Sequence, residues 1–252
     1  MISANIEGKV VVITGGASGI GYAAARLFGG CGASVVLNDI ADEEVLNDAA
    51  SRLRQDGVEV TYVRADIGIA DDVARTIDTA AQTYGRLDYL ICNAGVSATS
   101  KPIPLPDLDA VTDDMWDAIL RVNLLGPFRL ARAAAPYLKN SRGAIVSTSS
   151  AAAFTLSGSS IAYAASKAAL VKLTRDLAIA LGPEVRVNAV APGFIKTPWT
   201  ARFKPEWEKR GVENTTLKKA GQPEDVAELM LYLCAGAAFM TGQTLIIDGG
   251  VL

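Results

Sequence analysis

Short apolar runs alternate with helical patterns along most of this chain. The runs at 10–14 (VVVIT), 34–38 (SVVLN), 59–64, 87–92, 144–148 (AIVST), 186–190 and 244–247 read as seven strands. Between them, apolar residues recur at three- and four-residue steps, which predicts helices over 19–30, 42–56, 70–84, 112–138, 161–181 and 223–234. The runs VVVIT, VVLN and IVST lack polar alternation, as strands buried on both faces do. This rhythm predicts an α/β fold: a doubly wound, Rossmann-like, seven-stranded parallel sheet with helices on both faces, in three layers. Two stretches break it. Residues 97–110 hold three prolines and read as a loop, and 197–222 reads as irregular, carrying Trp199, Phe203 and Trp207. No repeat, linker or shift in composition divides the chain, so a single domain over 1–252 is expected.

Bulk composition narrows the function more by what is missing than by what is present. A formal charge of -3 offers no basic footprint for nucleic acid or an anionic membrane. The longest apolar stretch, 229–240, is well short of the ~20 residues of a spanning helix. The N-terminus has no basic patch followed by an apolar run and a cleavage site. Cys31, Cys92 and Cys234 are too few and too scattered for a disulfide framework or a thiolate metal cage. The cytoplasm is therefore the expected compartment, with no metal. There is no histidine. That excludes Ser-His-Asp hydrolases, papain-like enzymes, HExxH metalloproteases and any dehydrogenase with a histidine base. Proton transfer must fall to Tyr, Lys, Asp, Glu or Cys.

The first strand runs straight into Gly15-Gly16-Ala17-Ser18-Gly19-Ile20-Gly21 and then a helix. Glycines at 15, 19 and 21 can supply a tight turn, a close approach of backbone to pyrophosphate, and close packing of helix on strand. The helix N-terminus adds unpaired N–H groups and the positive end of its dipole. The spacing is GxxxGxG, not the usual GxGxxG, so a purely structural turn stays open. Asp39 ends the second strand, where a carboxylate would bond ribose hydroxyls and repel a 2′-phosphate. No Arg or Lys stands at 17–19 or 38–41, so NAD is expected over NADP. Alternatively Asp39 only helps start the next helix.

Tyr163 and Lys167 lie four apart on a helical pattern and so share a face. A phenol near pKa ~10 is a poor base at neutral pH, and a fixed ammonium beside it, together with an oxidised nicotinamide, should lower that value. An amphipathic surface pair is the alternative. Ser150 follows the fifth strand, at the carboxyl end where open parallel sheets place ligands; it either orients a substrate oxygen or is a turn residue. Asn123, within LRVNLLG, is a poor helix-interior residue. Its amide either disturbs the helix and holds a water near Lys167, or is simply satisfied in the core. Phe154, Phe194, Trp199, Phe203 and Trp207 are candidates to line an apolar pocket, or else pack the loop.

Together these residues resemble the short-chain dehydrogenases/reductases in their single-domain branch. The resemblance runs through TGGASGIG (14–21), CNAG (92–95), Asn123, the Ser150–Tyr163–Lys167 set, Ala191-Pro192-Gly193 with Thr197, GQPEDVA (221–227) and TGQTLIIDGG (241–250). It implies a catalytic tetrad of Asn123, Ser150, Tyr163 and Lys167. It implies a dinucleotide held by Gly15, Ser18, Gly19, Ile20 and Gly21, by Asp39 and Ile40, and by Asp66 and Ile67 flanking the adenine. Asn93, Ala94 and Gly95 would buttress it, with Tyr163, Lys167, Pro192, Gly193, Ile195 and Thr197 around the nicotinamide. Family members are usually homotetramers, often joined through the last strand and the helix before it. Cys92 departs from the family's usual asparagine there, and the proline-rich loop after it is a few residues longer than usual. The resemblance implies hydride transfer between a nicotinamide and a secondary alcohol or ketone; with Asp39 the cofactor expected is NAD(H), and the aromatic candidates would suit a cyclic, aromatic or acyl substrate, with diols also to be screened. The rivals are a 3-oxoacyl-thioester reductase, an enoyl reductase (which the family usually marks with a wider Tyr–Lys spacing) and a non-catalytic NAD-sensing protein.

Overall fold

A computed structural model describes residues 4–155, 158–202 and 205–251. Seven parallel strands form one sheet: β1 (Val10–Thr14), β2 (Ser34–Asp39), β3 (Val60–Arg64), β4 (Tyr89–Cys92), β5 (Ala144–Thr148), β6 (Arg186–Pro192) and β7 (Thr244–Ile247). Their order across the sheet is β3-β2-β1-β4-β5-β6-β7, so the winding reverses between β1 and β4. Each predicted strand is present, with ends shifted by two residues at most.

Burial on both faces explains why these runs read as continuous. In β1, Val11 and Ile13 point into one apolar cluster and Val10 and Val12 into the other. In β4, Tyr89 and Ile91 face the first cluster, Leu90 and Cys92 the second. The first cluster is closed by α1 (Gly19–Gly30), α2 (Glu43–Gln55) and α9 (Pro223–Leu231). The second is closed by α3 (Ala70–Tyr84), α5 (Gly126–Ser141) and α6 (Ile161–Leu181). Among the described residues no helix is long and apolar enough to cross a membrane.

Two regions differ from expectation. The helix predicted over 112–138 is interrupted: α4 (Asp113–Leu120) passes through a π-helical turn, Arg121–Leu125, before α5. Pro127 has no N–H to offer the carbonyl of Asn123, so the four-residue ladder cannot run through, and Gly126 instead donates back to the carbonyl of Arg121. The stretch 197–222 is not wholly irregular. It carries α7 (Pro198–Ala201) and α8 (Pro205–Glu213). Each starts on a proline, whose missing N–H costs nothing at a first helical position. Thr197 also caps α7, exchanging side-chain bonds with Thr200.

The two-cluster core predicts its own weak points. Leu90→Ala empties a fully buried site in β4 and should cost about 2–5 kcal/mol of unfolding free energy. Leu108→Ala, at a mostly exposed position, should stay within about 0.5 kcal/mol. Urea denaturation midpoints check both, and equal losses would contradict the packing described.

Candidate active site

The cleft of about 550 Å³ opens at the carboxyl ends of the strands, where β1 and β4 diverge in their connections. The glycine turn after β1 forms its floor. Gly15 and Gly19 sit at φ +64° and +54°, a region that side chains rarely adopt. A methyl group on Gly21 would stand 2.0 Å from the Gly15 carbonyl oxygen, so that glycine lets α1 pack against the turn. Ser18, at the start of α1, caps no backbone amide with its hydroxyl, which leaves first-turn N–H groups facing the cleft.

Asn93 holds this floor in place. Its Nδ2 donates to the carbonyls of Thr14 (3.1 Å) and Gly15 (3.3 Å), and its Oδ1 accepts from Thr148 Oγ1 (3.2 Å), tying β1, β4 and β5 together. Thr14 Oγ1 accepts from the backbone N–H groups of Asn93 and Ala94. Asp39 is fixed at the rim: its two oxygens accept from the N–H groups of Ala17 and Ala41, each at 3.1 Å. A carboxylate has further lone pairs, so ribose hydroxyls can still be accepted there. Asp66, Ile67 and exposed Ile40 line the same end, with Arg121 3.9 Å from Asp66. Glycines with no room for a side chain, uncapped amides and an oriented acid at one rim fit a nicotinamide dinucleotide.

At the other end the catalytic candidates converge. Ser160 caps α6, its Oγ accepting from the N–H of Tyr163 at 3.1 Å. Lys167 lies one turn on, and its Nζ stands 5.7 Å from the Tyr163 ring centre, so the two side chains do share a face. Lys167 is buried and donates to the Thr148 carbonyl at 2.8 Å; Ser149 Oγ donates to the Lys167 carbonyl at 2.9 Å. Ser150 Oγ accepts from Ala152 N–H at 3.2 Å, and its hydroxyl is near enough to the phenol to lower the pKa of Tyr163.

Burial dominates the electrostatics of the pair. Burial raises the Tyr163 pKa above its ordinary value, and the Ser150 hydrogen bond and the charge of Arg202 offset that only in part. Lys167 is itself pushed down to about 8 by burial. At both groups burial outweighs the neighbouring polar and charged groups.

Asn123 is buried and hydrogen-bonded within the protein. Its Nδ2 donates to the Val96 carbonyl (3.0 Å) and Ser166 Oγ (3.1 Å), and its Oδ1 accepts from Val96 N–H (2.8 Å). Both amide hydrogens are thus engaged by protein, while Oδ1 keeps a second lone pair. Gly193 and Ile195 also behave differently from their neighbours. A methyl group on Gly193 would meet Asp248, and the Ile195 side chain is buried in the core, so only their backbones can serve the cleft. Pro192, Thr197, Ala94 and Gly95 do line it. Of the aromatic candidates Trp199 lines the cleft, while Phe194 packs toward Gly211 beside a separate cavity of about 190 Å³. Phe154 and Trp207 are each a little under half exposed, and Phe203 lies outside the described residues. Cys92 is a packing residue: buried, it has its thiol pushed up to about 12. The sequence reading missed Thr14, Ser149 and Arg202. Only the fold brings Arg202 near the phenol, and no motif marks it.

Comparison with known proteins gives one consistent result. A family model described as enoyl-(acyl carrier protein) reductase matches residues 15–252. The chain is 43% identical over 249 residues to the protein assigned as ketoacyl reductase 2 of the granaticin polyketide synthase of Streptomyces violaceoruber, covering 97% of this chain and 96% of that one. The crystal structure of a short-chain dehydrogenase/reductase, SDR:glucose/ribitol dehydrogenase from Brucella melitensis, matches with a TM-score of 0.91 at 33% identity, over 100% of this chain and 99% of its own. A 7α-hydroxysteroid dehydrogenase complexed with NADH and 7-oxo glycochenodeoxycholic acid matches with a TM-score of 0.89 at 30% identity, over 98% and 96%.

The packing of Gly21 generates a test of the cradle. Gly21→Val should keep the far-UV circular dichroism of the parent yet weaken NADH binding by at least ~1.4 kcal/mol, or tenfold, in a fluorescence titration. Unchanged affinity would remove the glycine turn from the binding site.

Proposed function

The chain belongs to the short-chain dehydrogenase/reductase family, and on that premise we propose that it is an NAD-dependent oxidoreductase interconverting a secondary alcohol and its ketone, with Tyr163 as acid/base. The observation that carries this reading is Tyr163, lining a cleft floored by the glycine turn and sharing a helix face with buried Lys167, whose Nζ stands 5.7 Å from its ring centre. When bound, a nicotinamide supplies the hydride donor or acceptor. Ser150 orients the substrate oxygen. Tyr163 gives that oxygen a proton in reduction and takes it in oxidation. Lys167 positions the nicotinamide end and relays protons, and Asn123 is a positioning residue that clamps the loop after β4 to α6 through Val96 and Ser166.

Gly15, Ser18, Gly19, Ile20 and Gly21 would hold the diphosphate. Asp39 and Ile40 would hold the adenosine ribose, Asp66 and Ile67 the adenine. Asn93, Ala94, Gly95, Pro192, Gly193, Ile195 and Thr197 complete the nicotinamide end. We place the whole reaction in one catalytic unit over 1–252, working in the cytoplasm as a homotetramer. Tyr232, Phe239 and Ile246, exposed around β7 and the end of α9, would be covered by a second copy.

A second reading, a 3-oxoacyl-thioester reductase, is favoured by the ketoacyl reductase named among the relatives. Asp39 weighs against it to the extent that such reduction uses NADP. Activity with a 3-oxoacyl N-acetylcysteamine thioester, set against a panel of secondary alcohols and ketones, separates the two.

Two outcomes test the first reading. Tyr163→Phe should bind NADH with near-parental affinity while turnover falls about 10²–10⁴-fold, the usual contribution of a general acid/base. Retained turnover would end the proposal. Asp39→Ser should erode the preference for NAD over NADP by on the order of 10–100-fold, read from the two kcat/KM values, because it removes a like charge facing the 2′-phosphate.

A further inference from the structure

The mouth of the cleft has two walls, the loop after β4 and the short helix α7, and one guanidinium joins them. Arg202 directly follows α7. Its Nη2 donates to Ser97 Oγ at 2.8 Å, and its guanidinium carbon lies 3.9 Å from the centre of the Trp199 ring. Trp199 lines the cleft, and its ring centre stands 6.4 Å from that of Tyr163. Ser97 is buried, whereas Arg202 is exposed to solvent. The charge is near enough to matter at the phenol: Arg202 lowers the Tyr163 pKa, and Tyr163 in turn raises that of Arg202 against the burial that lowers it.

That influence on the phenol needs only the charge, and does not account for a guanidinium stacked on Trp199 and bonded to buried Ser97. The diphosphate is already provided for by the glycine turn and the uncapped N–H groups at the start of α1. Stacking on an indole and bonding a buried hydroxyl fix a planar, permanently charged fork beside the substrate end. A guanidinium held in this way has already lost much of the rotamer freedom that binding would otherwise remove. Its fork matches the two coplanar oxygens of a carboxylate.

We infer that Arg202 is the anchor of a substrate carboxylate: the enzyme takes secondary alcohols or ketones that carry a carboxylate, with the reacting oxygen at Tyr163 and the acid group against the guanidinium. The inference rests on the dehydrogenase reading and names its substrate class. Ser97 and Trp199 orient the anchor, and Trp199 supplies the apolar wall between the two ends of the substrate.

The test uses matched acids and esters. In the parent enzyme, 4-oxocyclohexanecarboxylate and 4-oxopentanoate should be reduced with kcat/KM about tenfold or more above their methyl esters, and added salt should narrow the gap. Arg202→Gln should bring each acid-to-ester ratio to about one, through a KM for the acids raised about 10–100-fold, as loss of a charge-assisted hydrogen-bonded pair predicts. Arg202→Lys, which keeps the charge without the fork, should recover part of the preference. Acids and esters used equally by the parent, or an Arg202→Gln variant that loses both alike, would overturn the anchor and make Arg202 a clamp between the two walls. Calorimetry of cyclohexanecarboxylate binding to the enzyme–NADH complex separates this failure from that of the dehydrogenase reading. Binding that needs Arg202, without turnover of any acid, ester or simple alcohol, keeps the anchor and ends the hydride chemistry.

Discussion

Burying a phenol and an ammonium side by side is the constraint on which the rest of this site depends. Each is pushed toward its neutral form, the phenol upward and the ammonium downward. A pair left like this would drift apart or flood with water unless the surrounding backbone held it. The chain holds it by welding α6 to the sheet: Lys167 reaches the Thr148 carbonyl, and Ser149 reaches back to the Lys167 carbonyl. On the neighbouring face, Ser166 donates to the Tyr163 carbonyl and accepts from Asn123. The π-turn carrying Asn123 is thus part of the same brace, and Pro127 is the residue that makes the helix widen there.

The cofactor end depends on the same strands. Asn93 and Thr148 meet at 3.2 Å, so the residue that orders the glycine turn also touches the strand that anchors Lys167. Backbone geometry at one end of the cleft is in this way mechanically continuous with side-chain geometry at the other.

Most of the fold was legible because burial on both faces leaves an unbroken apolar signature, as in VVVIT and AIVST. The shared face of Tyr163 and Lys167 was legible for a similar reason, since helix period is local. The π-turn was not, because periodicity of side chains says nothing about which carbonyl an amide reaches; Pro127 was the available clue. Helices α7 and α8 span four and nine residues, too few for a period to declare itself, though Thr197, Pro198 and Thr200 spell out the cap. The aromatic wall was overcounted because sequence gives a residue's type and not its direction: Trp199 turns in, Phe194 turns toward Gly211. Arg202 was invisible because its contacts with Ser97 and Trp199 join a distant loop to a helix unseen in the periodicity.

The order in which the site loses protons carries a further consequence. With Lys167 near 8 and Tyr163 above its ordinary value, the ammonium discharges before the phenol as pH rises. The charge that stays with the phenol throughout is therefore that of Arg202, because a guanidinium remains protonated well beyond the range of either neighbour. An anion resting on Arg202 cancels part of that help and leaves Tyr163 more firmly protonated. A protonated phenol is a donor, which is the form that ketone reduction needs and alcohol oxidation does not. A carboxylate on the proposed anchor would act in opposite senses on the two directions of the proposed reaction, assisting proton donation to a ketone and opposing ionisation of the base in oxidation.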